Sequence, residues 1–271
     1  PPRSTLFPYT TLFRSFTPAD WNTPQTVTIT GVDDDVDDGD VAYSIVTSTA
    51  ASADPSYSGM AVPDVSVTNQ DNDTAGVSIT PTSGLVTTEA GGAATFSAVL
   101  TSRPTANVTF SLSSSNLAEG TLSASSLTFT SANWNIAQIV TLTGQDDAID
   151  DGNVAYTVTT GAVTSADPGY DGVNPADVSA THVDAAPAGI PVSPTSGLIT
   201  TAAGASANFT VVLTSQPTAD VTIPLSSSNT GEGTVSASSL VFTAANWNTP
   251  QTVTVAGVND LIDDGDIAYS I

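Results

Sequence analysis

Residues 127–156 read LTFTSANWNIAQIVTLTGQDDAIDDGNVAY, and a close copy, LVFTAANWNTPQTVTVAGVNDLIDDGDIAY, stands 113 residues later at 240–269. A third copy stands 113 residues earlier, where 16–43 read FTPADWNTPQTVTITGVDDDVDDGDVAY. Trp21, Trp134 and Trp247 keep this spacing, as do Tyr43, Tyr156 and Tyr269. PTSGL begins at Pro81 and again at Pro194, and SADP at 52–55 recurs at 165–168, so no insertion disturbs the register. A period this long means stacked copies of one domain rather than the turns of a solenoid. On this register, residues 75–187 form one complete repeat. Residues 16–74 are the C-terminal part of a preceding repeat, and 188–271 are a following repeat that lacks its last strand.

Within 75–187 the apolar period is two, the mark of half-buried strands. Val77 and Ile79 begin strand A. Phe96, Ala98 and Leu100 share a face of strand B, and Val108, Phe110 and Leu112 do the same in strand C. Leu127 with Phe129 marks strand D, Val140 with Leu142 strand E, Val154, Tyr156 and Val158 strand F, and Val178 opens strand G. Gly, Pro, Ser and Asn clusters separate these runs, and no stretch keeps helical periodicity over three turns. The expectation is an all-β chain of tandem immunoglobulin-like antiparallel sandwiches. Pro224, inside strand C of the following repeat, predicts an edge strand or a bulge.

Of the 271 residues, 27 are Asp or Glu and three are Lys or Arg, for a formal charge of −24. The basic residues are Arg3, Arg14 and Arg103. Nothing here neutralises phosphates, so nucleic acid is excluded as a partner, and no apolar run is long enough to insert directly into a membrane. With 39% apolar residues in regular alternation, the chain is not a disordered acidic tail. The absence of Cys leaves burial, β ladders or metal as sources of stability.

Residues 1–15, PPRSTLFPYTTLFRS, have no counterpart in either later copy. They resemble translated sequencing-adapter read-through and are read as a non-native leader; a short native hairpin is the competing reading.

The chemistry lies in the loop between strands E and F: DDDVDDGDVAY from Asp33, DDAIDDGNVAY from Asp146 and NDLIDDGDIAY from Asn259. In a seven-strand antiparallel sandwich the A–B, C–D and E–F loops share one end with the exit of strand G. That pole should gather Glu89, Glu119, Asp146, Asp147, Asp150, Asp151 and Asp184 in the complete repeat. The preceding repeat contributes Asp33, Asp34, Asp37 and Asp38, with Asp71 and Asp73 from its closing DND. The following repeat retains Asp260, Asp263 and Asp264. It carries Ala202 where Glu89 stands and Asn259 where Asp146 stands, while Ala185 and Ala186 replace Asn72 and Asp73 at the second linker.

Unit charges 4 Å apart repel by about 4 kcal/mol at an effective dielectric of 20. Arg103, on the B–C turn, is expected at the opposite pole. A hard divalent cation with oxygen ligands would relieve the repulsion, and flexible loops suit Ca2+ better than Mg2+. Zinc is disfavoured, because His182 is the lone imidazole and there is no thiol. The competing reading is a solvated acidic turn. An EF-hand with its Gly at Gly39 fails, since Val36 and Ile45 would stand at ligand positions.

With these residues in place, the chain resembles the Calx-β domain. The resemblance is carried by TTEAGGAATFSAVLTS at 87–102, LTFTSANWNIAQIVTLTGQDD at 127–147 and VSVTNQDND at 65–73. It implies an immunoglobulin-like sandwich with calcium at one pole, pointing to Glu89, Asp146, Asp147 and Asp184, and to Asp33, Asp34, Asp71 and Asp73. The family usually shows Glu soon after its paired Asp, where this chain has Asp150 and Asp151.

The function expected is a non-enzymatic, calcium-binding structural or adhesive repeat of a large secreted or cell-surface protein, with neighbouring repeats of the same chain as partners. The alternative is a module for a surface glycan or protein, using the F–G loops SADPSYSG at 52–59 and SADPGYDG at 165–172, with Tyr57 and Tyr170. Against that alternative, both tyrosines could pack beneath their own loops. Each Trp reads as a cap on the core edge.

Overall fold

Side chains on a strand alternate between faces, so every second residue of an apolar run reaches the core. In the computed structural model, which describes residues 14–259 and 265–271, Val108, Phe110 and Leu112 are buried in this alternating way. The described residues contain strands, turns and irregular segments and no helix, hence no helix long and apolar enough to cross a membrane.

The chain divides into two units, one ending at Asn72 and the other running from Asp73 to Ile271. The first holds an antiparallel pair, β1 (Val41–Ile45) and β2 (Val65–Asn69), with Tyr43 opposite Val67. Its E segment, residues 26–30, forms no strand. Trp21, Val27, Ile29 and Val65 are exposed here, whereas Val140, Leu142 and Val178, at the positions of Val27, Ile29 and Val65 in the register, are 0% exposed. The described residues of this unit supply no facing sheet to cover them.

The second unit begins with β3 (Val77–Thr80), β4 (Leu85–Thr88), β5 (Ala93–Leu100), β6 (Val108–Ser114), β7 (Gly120–Leu122) and β8 (Ser126–Phe129). There follow β9 (Gln138–Gly144), β10 (Val154–Thr160), β11 (Thr164–Ser165) and β12 (Val178–Val183). One sheet runs β3-β5-β9-β7 and the other β11-β6-β10-β12-β4, with β8 also paired to β6. The expected strand A is therefore two strands: β3 pairs antiparallel with β5, and after Pro81 the chain crosses to pair β4 in parallel with β12. A proline has no amide to donate, so the first ladder ends there. Between the sheets lie Phe96, Ala98, Phe110, Phe129, Val140, Leu142, Val158 and Val178, with Trp134 packed at the margin of this core. Burying one such side chain contributes about 1.5–3 kcal/mol.

The remaining strands are β13 (Val192–Ser193), β14 (Ser206–Val211), β15 (Val221–Pro224), β16 (Gly233–Val235), β17 (Ser239–Phe242) and β18 (Gln251–Gly257). They form a β13-β14-β18-β16 sheet and a β15–β17 pair around a second apolar cluster, against which Trp247 and Tyr269 pack. Pro224 closes β15, whose one strand partner among the described residues is β17, as an edge strand requires. Contacts recur at the sequence period. Thr87 Oγ1 lies 3.0 Å from the Tyr156 hydroxyl, and Thr200 Oγ1 lies 2.7 Å from that of Tyr269.

Candidate functional site

The acidic pole of residues 75–187 is assembled by strand order. Glu89 leaves β4, Glu119 precedes β7, residues 145–153 join β9 to β10, and Asp184 follows β12. Backbone bonds tie the four segments together. The Glu89 amide donates to Val183 O at 3.3 Å, and the Gln145 amide donates to Glu119 O at 3.1 Å. Asp184 Oδ2 accepts the Gly152 amide at 2.7 Å, and Oδ1 accepts the Ala186 amide at 2.7 Å. Gly152 has φ +72°, a conformation a side chain resists, and this aims its N–H across the loop. Asn153 Oδ1 in turn accepts the Asp184 amide at 3.2 Å.

The carboxylates fall into three environments. Glu89 and Glu119 are buried, at 5% and 6% exposure. Asp184 is half-buried and held by amides, while Asp146, Asp147, Asp150 and Asp151 are exposed. Glu89 Oε2 accepts the Ala185 amide at 2.5 Å. Asp147 Oδ1 accepts the Ile149 amide at 2.8 Å, a local turn that shapes the loop. Asp150 Oδ2 accepts the Ala188 amide at 2.7 Å. Ala185 and Ala186, which carry no carboxylate of their own, thus contribute through their backbones.

Burial pushes the Glu119 carboxyl above its ordinary value, and nearby Asp151, Asp147 and Glu89 push the same way against the lowering effect of His182. Asp184 is held low by the amides of Ala186 and Gly152. Thus one acid of the pole is destabilised as an anion while another is well solvated by the backbone. Among the described residues, no three His, Asp or Glu side chains converge closely enough to hold a metal ion as they stand.

His182, read from sequence only as an argument against zinc, proves central. It is 2% exposed, its Nδ1 lies 3.0 Å from Thr87 Oγ1, and its Nε2 has no hydrogen-bond partner. The nearest charge to Nε2 is the Glu119 carboxylate, at 3.8 Å. The signal was present in the sequence: Val178, Ala180 and His182 have the same parity, which puts all three on the core face of β12. Asn116, unread from sequence, also reaches Glu119 Oε1, at 3.5 Å.

The first unit repeats several of these contacts. Asp34 Oδ1 accepts the Val36 amide at 2.8 Å, and Asp71 Oδ2 accepts the amides of Asp38 and Gly39 at 2.9 and 2.6 Å. Asp33, Asp34, Asp37 and Asp38 are exposed. Asp73 belongs to the second unit rather than with Asp71. Asn69 holds the place of His182 in the register and donates to Val32 O at 2.9 Å. Asp260, Asp263 and Asp264 lie outside the described residues, as does nearly all of the leader.

At the other pole, Tyr170 is 1% exposed, and its hydroxyl donates to Ser102 O at 2.6 Å. Its ring fills the base of the loop and offers no face to a glycan, whereas Tyr57 is 57% exposed. Arg103, the one Arg or Lys of the second unit, adjoins Ser102 at this end.

No family description and no curated protein matches the sequence. Among solved structures, the calcium binding domain CBD12 of CALX1.1 is 16% identical, with TM-score 0.30, covering 68% of this chain and 76% of its own. Domains 4–9 of surface layer protein SbsC are 17% identical, with TM-score 0.29, covering 74% and 30%. WR4, a C. elegans MSP family member, is 13% identical, with TM-score 0.28, covering 40% and 97%. The β-sandwich assignment rests on the strand pairing described above.

Proposed function

We propose that the chain is a non-catalytic repeat segment of a secreted or cell-surface protein, whose acidic poles take Ca2+ and thereby stiffen the joints between successive sandwiches. One observation carries this reading: Glu119 is buried, Asp151, Asp147 and Glu89 lie near enough to oppose its ionisation, and no Lys or Arg stands at that pole to balance them. Folding in isolation pays for that crowding, and a bound cation removes the cost. The donors are hard oxygens, as Ca2+ requires. Glu119, Asp147 and Asp151 would hold the ion, with Glu89 Oε1 and the remaining lone pairs of Asp184, whose two oxygens each already accept an amide, once the exposed loop draws inward. The ion supplies charge and cross-linking, not chemistry.

Scanning calorimetry of the chain in Ca2+ and in EGTA tests the reading. Ligand at 100 times Kd should add about 2.7 kcal/mol and raise Tm, and Asp147→Ala should diminish the rise. A transition indifferent to Ca2+ removes the reading. Scattering in the same two buffers reads the stiffening as a larger maximum dimension with the ion.

A further inference from the structure

We propose that His182 is the positioning residue of the acidic pole: its Nε2–H faces Glu119 across 3.8 Å and, once a cation relieves the repulsion on that carboxylate, donates to it and holds it toward the ion. This deepens the calcium reading and rests on it.

The proton assignment follows from counting donors. Thr87 Oγ1 stands 3.0 Å from both the Tyr156 hydroxyl and His182 Nδ1, and has one proton to give. If it donated to Tyr156, the phenol proton would lack its one described acceptor. Nδ1 would then carry the ring proton, and the bare Nε2 lone pair would face a carboxylate at 3.8 Å. If the chain runs from Tyr156 to Thr87 to His182 Nδ1, every proton is used and Nε2–H points at Glu119. Tyr156 stays a donor because burial pushes its phenol above the ordinary value.

The gap is short of a hydrogen bond by about 1 Å, too little for a bridging water and closed by a small swing of Glu119. Repulsion from Asp147, Asp151 and Glu89 is what a cation would relieve, letting the carboxylate settle against the ring. Second-layer donors of this kind are how proteins orient metal-binding carboxylates. Thr87 and Tyr156 recur as Thr200 and Tyr269, so the base of this relay is built into the repeat.

His182 is the one His in the chain, so 15N-histidine labelling reports on a single ring. Without calcium, the full chain should show Nδ1 bare and Nε2 protonated, with an Nε2 resonance that moves in Glu119→Gln. The opposite tautomer, or an Nε2 indifferent to Glu119→Gln, overturns the proposal. Calcium should shift the same resonance. His182→Phe should weaken calcium binding about ten-fold, while His182→Gln, which restores a donor, should recover most of that loss. Equal losses in the two variants, or none, also overturn it. If His182→Phe does not fold, the ring spectra decide alone. A chain that binds no calcium, yet keeps the Nε2–Glu119 coupling, refutes the calcium reading and not the donor assignment.

Discussion

The Asp150 carboxylate accepts the Ala188 amide at 2.7 Å, and two residues earlier the Ala148 carbonyl accepts the Gln216 amide at 2.6 Å. The acidic loop at 145–153 is thereby fastened to Ala188 and Gln216, farther along the chain, through their backbone amides. Asp150→Ala should release Ala188, speeding its amide exchange several-fold, as loss of about 1 kcal/mol allows. Exchange in β9 and β10 should not change. Mass-resolved hydrogen exchange of the peptide spanning 185–190 checks this.

Glu119 sets an unusual acid response. Its folded-state value is raised above 4.5, so its favourable contribution is complete below 4.5 and is lost as pH rises through the folded value. Asp184 works oppositely: held below 3.8, it stabilises above that value and loses its contribution as pH falls through the folded one. Calcium-free protein should therefore gain stability as pH drops from neutral toward about 4.5, then lose it on further acidification. Glu119→Gln should flatten the gain and raise Tm at pH 7. Urea titrations across this range would expose a monotonic profile, which contradicts the account.

A methyl group at Gly120 would fall on the Tyr156 hydroxyl. Gly120→Ala should cost about 1–3 kcal/mol. In a Tyr156→Phe background it should cost less, because the oxygen is the nearest atom. Additive losses in the double-mutant cycle would place the strain on the ring carbons, which stand nearly as close, rather than on the hydroxyl.

Tyr170→Phe deletes the hydroxyl that serves both the amide and the carbonyl of Ser102. Leaving those groups buried and unpaired should cost about 1–3 kcal/mol. The calcium response proposed for the far pole should not change, as parallel denaturation and titration calorimetry can show.

The strands of residues 75–187 were legible because each buries one face and exposes the other, as Phe96, Ala98 and Leu100 announce. The short β7 was not, since Gly120, Thr121 and Leu122 are too few to alternate. The crossing of the first strand between sheets was hidden because Val77–Thr80 and Leu85–Thr88 each alternate correctly and pairing partners leave no local trace. The gathering of Glu89, Glu119 and Asp184 at one pole follows from strand order alone, so it could be read in advance. Which acids are buried could not: Glu119 and Asp147 look alike in sequence, and what separates them is that Glu119 lies against His182 of β12 and Asn116 while Asp147 stands on an exposed loop. His182 was overlooked for a related reason, as a single imidazole on a strand carries a parity but no partner.

The parallel seam between β4 and β12 joins the beginning of residues 75–187 to their end, pairing Leu85 through Thr88 with Ala180 through Val183. Tension applied to the two ends of this segment pulls those two strands past each other lengthwise rather than peeling them apart. The bonds of the seam are then loaded in shear and must rupture together, not one at a time. Such a link should hold under pull until it fails abruptly, which a force-ramp record on the single molecule would display as one tall break rather than a staircase.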